Sequence, residues 1–243
     1  MNKKCTGVIF VLFLVTFLLS NRTFSQELKF ITIDVAPWAY YDEEKKKFAG
    51  IFPDIVKEIE AKTGYTISIK LTPYVRVNRE LEIGRQDCTM LVTEEDRSAI
   101  TTLGELVFNM PLGVIPHKNI SLKTYEDLYG IDISVLRGSG ISKRFKQDDK
   151  LQKSFDTDYK IILRKVVHGR AEAVAGAIPT IQYLAKKQEM DNVLGEPLQL
   201  GVAPIYLQCS TKTQRNLEIV EVNKALKEMR EDSTLDRITN KHW

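Results

Sequence analysis

What most limits the fold of this chain is an alternation of strand and helix signals that runs once through the first hundred residues and then begins again. Leu28 to Asp34 reads as a half-buried strand because apolar side chains recur along it with a period near two, and a Pro37-Trp38-Ala39-Tyr40-Tyr41 loop follows. After Gly50, the residues Ile51, Phe52, Ile55, Val56 and Ile59 recur at helical spacing. Pro53 suits a first helical turn, where a missing N–H leaves no bond unmade, and Gly64 stops the helix. Thr66 to Leu71 reads as a second strand, Val75 to Ile83 as a short helix ending at Gly84, and Asp87 to Val92 as a third strand. An order of β-loop-α-β-α-β builds an open α/β sheet with helices on both faces.

The same rhythm restarts beyond residue 130. Ile131 to Leu136 is a strand, Arg137-Gly138-Ser139-Gly140 a turn, and Ile141 to Gln147 opens a helix. Asp158 to His168 carries Ile161, Ile162, Val166 and Val167 at helical spacing and ends at Gly169. Glu172 to Gly176 is small and apolar enough for a buried strand, and Pro179 to Gln188 is a helix with Ile181, Leu184 and Ala185 inward. Leu217 to Met229 is amphipathic, with Val222, Ala225, Leu226 and Met229 on one face. No Pro/Gly/Ser-rich linker separates the two runs, so any connection between them is by strands that cross directly.

Composition supports a packed chain: 43% hydrophobic and 28% charged residues, with 13 Gly and 8 Pro in 243, exclude collagen-like and disordered classes. The net charge of +3 comes from Lys3, Lys4 and Arg22, and the rest of the chain is balanced. A neutral body offers no electrostatic reason for a nucleic-acid partner or an anionic membrane surface. Those three cations frame an apolar run from Val8 to Leu19, and Thr23-Phe24-Ser25 ends the segment with small residues, the pattern of a secretory signal cleaved after Ser25. The run is too short for the roughly 20 residues that span a bilayer. Cys5 precedes it and is not placed to carry a lipid.

Cys88 and Cys209 remain in the exported chain; two buried thiols is the favoured reading, one disulfide the alternative. His117, His168 and His242 stand at no metal-ligand spacing, and no cofactor is expected. No nucleophile elbow, phosphate loop or dinucleotide fingerprint is present. The candidate ligand groups are therefore binding residues. Gly138-Ser139-Gly140, between a strand and a helix, either holds a carboxylate or phosphate on free N–H groups and a hydroxyl, or is a plain turn capped by Ser139. Arg97 follows a strand end, where α/β sheets bind ligands, with a surface salt bridge as the alternative. Arg76, at a helix start, and the aromatics Trp38 and Tyr40 complete the set, each with a purely structural alternative.

Taken in order, these residues resemble the bacterial extracellular solute-binding proteins of family 3. The likeness rests on Pro37-Trp38-x-Tyr40, Gly50-Ile51-Phe52-Pro53-Asp54, Leu81-x-x-Gly84-x-x-Asp87 and Thr93…Arg97. It continues through Leu128-Tyr129-Gly130, Gly138-Ser139, Gly169-Arg170-Ala171-Glu172-Ala173 and the stretch from Asn223 to Trp243. The resemblance implies a two-lobed type II periplasmic binding fold, each lobe a mixed sheet flanked by helices, that closes around a small-molecule ligand. The restarted rhythm without a flexible linker then divides the chain into one lobe of residues 26–110 and 205–243 and another of 111–204. By the same resemblance Arg97 and the Gly138-Ser139 turn clamp a carboxylate, Thr93 and Gly140 are further ligand-binding candidates, and Trp38 or Tyr40 covers the ligand's side chain. The implied setting is the periplasm, as a monomer serving ABC transporter membrane subunits or a sensor ectodomain.

One departure is chemical. The family's acid for an α-ammonium group falls at Ala177, and a methyl group cannot balance a buried cation. The expected ligand is therefore a carboxylate or an atypical amino-acid-like solute. An enzyme on the same scaffold, as in the periplasmic dehydratases, needs a positioned acid that Ala177 does not supply, and a ligand-independent interaction module is the third class.

Overall fold

The computed structural model describes residues 27–93, 95–137 and 141–242. The expected signal segment and the Gly138-Ser139-Gly140 turn lie outside the described residues. Strand β1 (Leu28–Ile33) pairs in parallel with both β4 (Ile67–Thr72) and β5 (Cys88–Val92), and the crossovers are helices α1 (Ile51–Thr63) and α2 (Tyr74–Glu82). Between β1 and α1 a small hairpin, β2 (Tyr40–Asp42) and β3 (Lys47–Ala49), was not evident from periodicity because each strand has only three residues.

Helix α1 buries Ile51, Phe52, Ile55, Val56 and Ile59, the stripe read from the sequence, and Gly64 closes it in the left-handed conformation at φ 73° with its N–H on the Glu60 carbonyl. Its other end depends on Gly50, at φ 119°, where an added Cβ would lie 2.7 Å from the Pro37 carbonyl and 2.8 Å from that of Trp38. Those two carbonyls accept the otherwise unpartnered N–H groups of Ile51 and Phe52 at 3.0 and 2.9 Å. The loop that carries Trp38 is thereby tied to the helix start.

One turn of helix, α3 (Glu95–Ser98), leads into the long strand β6 (Thr101–Pro116). The second run then gives β7 (Asp132–Leu136), α4 (Lys143–Gln147), β8 (Gln152–Asp156), α5 (Tyr159–Val167), β9 (Ala173–Ala177) and α6 (Ile178–Lys187). Strand β10 (Leu198–Ser210) returns across the molecule to helices α7 (Asn216–Glu231) and α8 (Thr234–His242). All strands but the hairpin form one sheet in the order β4-β1-β5-β10-β6-β9-β7-β8. Its middle is the antiparallel β6/β10 pair, which runs through both halves: Ile205 to Cys209 of β10 pair with β5, while Leu112 to Pro116 of β6 pair with β9.

These two crossing strands carry no clean alternation, because each is buried differently in its two halves, and β10 pairs with β6 through three register shifts. Separate cores flank them. Phe30, Phe52, Phe108 and Leu226 belong to one, and Val114, Leu128, Ile133 and Val135 to another, with Val92 and Met110 packed against both.

The reading of Cys88 and Cys209 as two thiols is overturned: they form a disulfide. They are directly paired in register on β5 and β10, with Cα atoms 4.0 Å apart, although 121 residues separate them in the chain. Strand order decides their proximity, and strand order is not legible from spacing.

Candidate functional site

The carboxyl ends of four strands, Ile33 of β1, Val92 of β5, Leu136 of β7 and Ala177 of β9, converge on one cavity of about 640 Å³. This is where open α/β sheets place ligands, because the strands end there and the following loops diverge. Met110, packed against both cores, and Ala203 of the second core are directly paired on the crossing strands and both line the cavity.

Aromatic rings wall the side of the first core. Trp38 stacks on Phe108 with ring centres 5.9 Å apart and tilts against Phe52 at 6.0 Å, and both Trp38 and Phe52 line the cavity. The indole N–H of Trp38 donates to the Thr180 hydroxyl at 2.8 Å. Thr180 is buried in the first turn of α6, so this bond joins the two halves of the molecule across the cavity.

The polar lining is sparse and lies mostly on the second half. Arg137, exposed at the end of β7, is the one charged side chain among the described lining residues, and none of those residues is an acid. Tyr159 opens α5, where its neighbour Asp158 caps the helix by accepting the Lys160 N–H. Its hydroxyl accepts the Ala177 N–H at 2.9 Å, and burial pushes the phenol up to about 12. Ala177, at which the resemblance puts the family's acid, lines the cavity.

The sequence candidates distribute unevenly. Trp38 lines the cavity; Arg97, Tyr40, Arg76 and Thr93 are not among its lining residues. Arg97 is fully buried in α3, where Nε donates to Asn78 at 2.9 Å, one terminal nitrogen to the Val92 carbonyl and the other to the Tyr74 hydroxyl at 3.1 Å. Two of these partners, Tyr74 and Val92, do line the cavity, so the guanidinium stands directly behind its wall. Tyr40 instead meets α6 outside the cavity, its ring centre 5.7 Å from the Lys187 ammonium. Arg76 is exposed on α2, and Thr93 is half-buried beyond β5. Gly138, Ser139 and Gly140 follow Arg137 in the chain but lie outside the described residues.

Reasoning from sequence alone missed Arg137, Tyr159 and Thr180. The signals lay close by: Arg137 precedes the glycine turn already singled out, and Thr180 follows Ala177 by three residues. Tyr159 gave none, because an aromatic at the start of an amphipathic helix reads as ordinary core.

Among the described residues no helix is long and apolar enough to cross a membrane. The chain is 25% identical to "Probable amino-acid-binding protein YxeM" of Bacillus subtilis (strain 168), over 85% of this chain and 80% of that one. It is 26% identical to PatH of Vibrio harveyi, whose name associates it with an amino-acid ABC transporter, over 82% of this chain and 81% of that one. Among solved structures it superposes on an ancestral cationic amino acid solute-binding protein, AncCDT-1, with a TM-score of 0.73 and 20% identity, covering 89% of this chain and 95% of the other. That likeness carries the two-lobed fold. The family model of the bacterial extracellular solute-binding proteins, family 3, matches residues 29–243, and the chain belongs to that family.

Proposed function

We propose that the protein captures a small organic solute bearing a carboxylate between its two lobes, outside the cytoplasmic membrane, and delivers it to an ABC importer. The observation that carries this reading is the charge of the cavity. Its described lining holds one arginine, no acid, and Ala177 where the family places a carboxylate. A ligand's ammonium group would enter without a counter-charge from those residues, at a desolvation cost of several kcal/mol.

In this reading the lobes are residues 26–110 with 205–243, and residues 111–204. Met110, packed against both cores and directly paired with Ala203 of the second core, supports a boundary near that point. Arg97 supplies positive charge behind Tyr74 and Val92, and Arg137 supplies it in the lining itself. The amino-acid binding and the transporter named for YxeM and PatH support solute capture for import, while Ala177 argues for a ligand outside the ordinary α-amino acids.

Native mass spectrometry of protein purified without refolding, followed by calorimetry against α-amino acids and organic acids, tests the reading. A co-purified or titrated organic acid, with binding abolished in Arg97→Ala, is the expected result. Micromolar binding of an ordinary α-amino acid would overturn it. Export is tested separately: N-terminal sequencing of the periplasmic protein should begin at Gln26.

A further inference from the structure

Two features of the cavity go beyond a preference for carboxylates. The first is its wall. Tryptophan, phenylalanine and tyrosine rings with aliphatic strand ends make most of the surface, and the Trp38 N–H is already engaged by Thr180. A small, densely polar acid would leave much of this surface against unmatched polar groups, whereas an apolar body would cover it.

The second is the hydroxyl of Tyr159. The residue is nine-tenths buried, and its oxygen accepts the Ala177 N–H at 2.9 Å. Among the described residues nothing accepts its own proton. The ring's position is built into the strand beside it: a Cβ on Gly176 would lie 2.0 Å from the tyrosine oxygen, so only glycine allows this approach. A phenol held near 12 by burial stays protonated at any physiological pH and is therefore a fixed donor. A buried donor without an acceptor is costly, and a ligand that brings one removes that cost.

We propose that the cavity takes an amphipathic ligand, with an aryl or branched-alkyl body against the Trp38 and Phe52 wall and one acceptor oxygen received by the Tyr159 hydroxyl. This rests on the carboxylate reading above and narrows it to monoacids with an apolar body. Tyr159 is then a ligand-contacting residue that discriminates acceptors from donors: an ammonium group meets a second donor there and is rejected.

The test is calorimetry of the whole mature protein with 3-phenylpropionate, indole-3-acetate and 4-methylpentanoate, against 3-phenylpropylamine, tryptamine and succinate. At least one apolar acid should bind at micromolar affinity or tighter, with its amine counterpart at least 100-fold weaker. Tyr159→Phe keeps the ring and removes only the hydroxyl, so it should weaken the acid at least 10-fold and shrink its margin over the amine counterpart, a change in selectivity that the lower melting temperature from unpairing the Ala177 N–H would not by itself produce. Gly176→Ala, which displaces the ring, should weaken the acid at least as much, and retained far-ultraviolet circular dichroism would show that the fold persists. Binding of succinate with none of the apolar acids would overturn this inference and leave the carboxylate reading standing. Equal binding of an amine would overturn both. Tyr159→Phe binding the acid within twofold of the parent would remove Tyr159 from the site, and no binding by any of the three acids would reject the apolar body.

Discussion

The two halves of the sheet are held together by different means. In the first, β5 and β10 are joined covalently through Cys88 and Cys209, and the core beside them is built from large side chains, including Phe30, Phe52, Phe108 and Trp38. In the second no disulfide is present among the described residues, the central strand β9 is made of alanine, valine and glycine, and polar pairs do more of the fastening. Tyr159 bonds the backbone of β9, and Asp156 at the end of β8 binds both Lys165 of α5 and Ser134 of β7. The division extends into the cavity, where the first half supplies aromatic wall and the second supplies Arg137, Tyr159 and Thr180. A stapled, apolar half presents a fixed surface, and a half held by hydrogen bonds carries the groups that distinguish one ligand from another.

The largest expected effect would break the comparison at its covalent point. Cys88→Ala/Cys209→Ala removes a link across 121 residues, and the loop-entropy model puts the loss at about 5 kcal/mol. Urea unfolding of the oxidised parent against the variant measures it. Hydrogen exchange should quicken first in β5 and β10; equal acceleration in β7 and β8 would show that the staple serves the whole molecule and not one half.

Gly50→Ala attacks the first half at its loop. The substitution forces an L-residue to φ 119° and drives a methyl group to within 3 Å of two carbonyls that satisfy the start of α1. About 2 to 3 kcal/mol is expected from strain and lost helix-start bonds, again by urea unfolding. Because the same carbonyls seat Trp38, its fluorescence should shift in the folded variant.

Much of this organisation was legible in the residues themselves, and the reasons are local. Gly50, Pro53, Gly64 and the stripe from Ile51 to Ile59 mark α1 because caps and helical period are properties of neighbours in sequence. The strands at Ile131 to Leu136 and Glu172 to Gly176 were found within a residue or two for the same reason. What stayed hidden depends on strand order. Cys88 meets Cys209 only because β10 inserts beside β5, and Tyr159 enters the cavity only because β9 carries a glycine at the point of approach. Arg97 stands between these cases. Its place after a strand end was readable, but its burial behind Tyr74 follows from α2 packing over the same edge.

A smaller effect is expected where the halves meet. Thr180→Val keeps the volume but takes away the acceptor for the Trp38 N–H, leaving a buried donor unmatched at about 1 to 2 kcal/mol. The bond joins the aromatic wall to α6, so the variant should separate the lobes slightly. Small-angle scattering of ligand-free protein would show a larger radius of gyration than the parent, and an unchanged radius would mean that the bond adds stability without holding the lobes.

The smallest effect tests whether the polar fastening of the second half is electrostatic. Burial works to raise the Asp156 carboxyl, but the bonds from Lys165 and Ser134 outweigh it and hold the group below the ordinary aspartate value of about 3.9. A carboxyl depressed on folding contributes stability that is fully present above that ordinary value and is lost as the pH falls through the folded-state value beneath it. Asp156→Asn keeps the shape and an acceptor for Ser134 but removes the charge that Lys165 faces. Near pH 7 it should lose about 1 kcal/mol, and the loss should shrink toward zero as both proteins are acidified through the depressed folded-state value of Asp156. Asp54 is the matching carboxylate of the first half, drawn down by Lys241 and His242 against an opposing effect of burial, but its side chain is 30% exposed against 14% for Asp156. Water weakens the more exposed pair, so Asp54→Asn should flatten the acid limb of the stability curve less than Asp156→Asn does. Equal flattening by the two would show that the second half relies on charge no more than the stapled first half does.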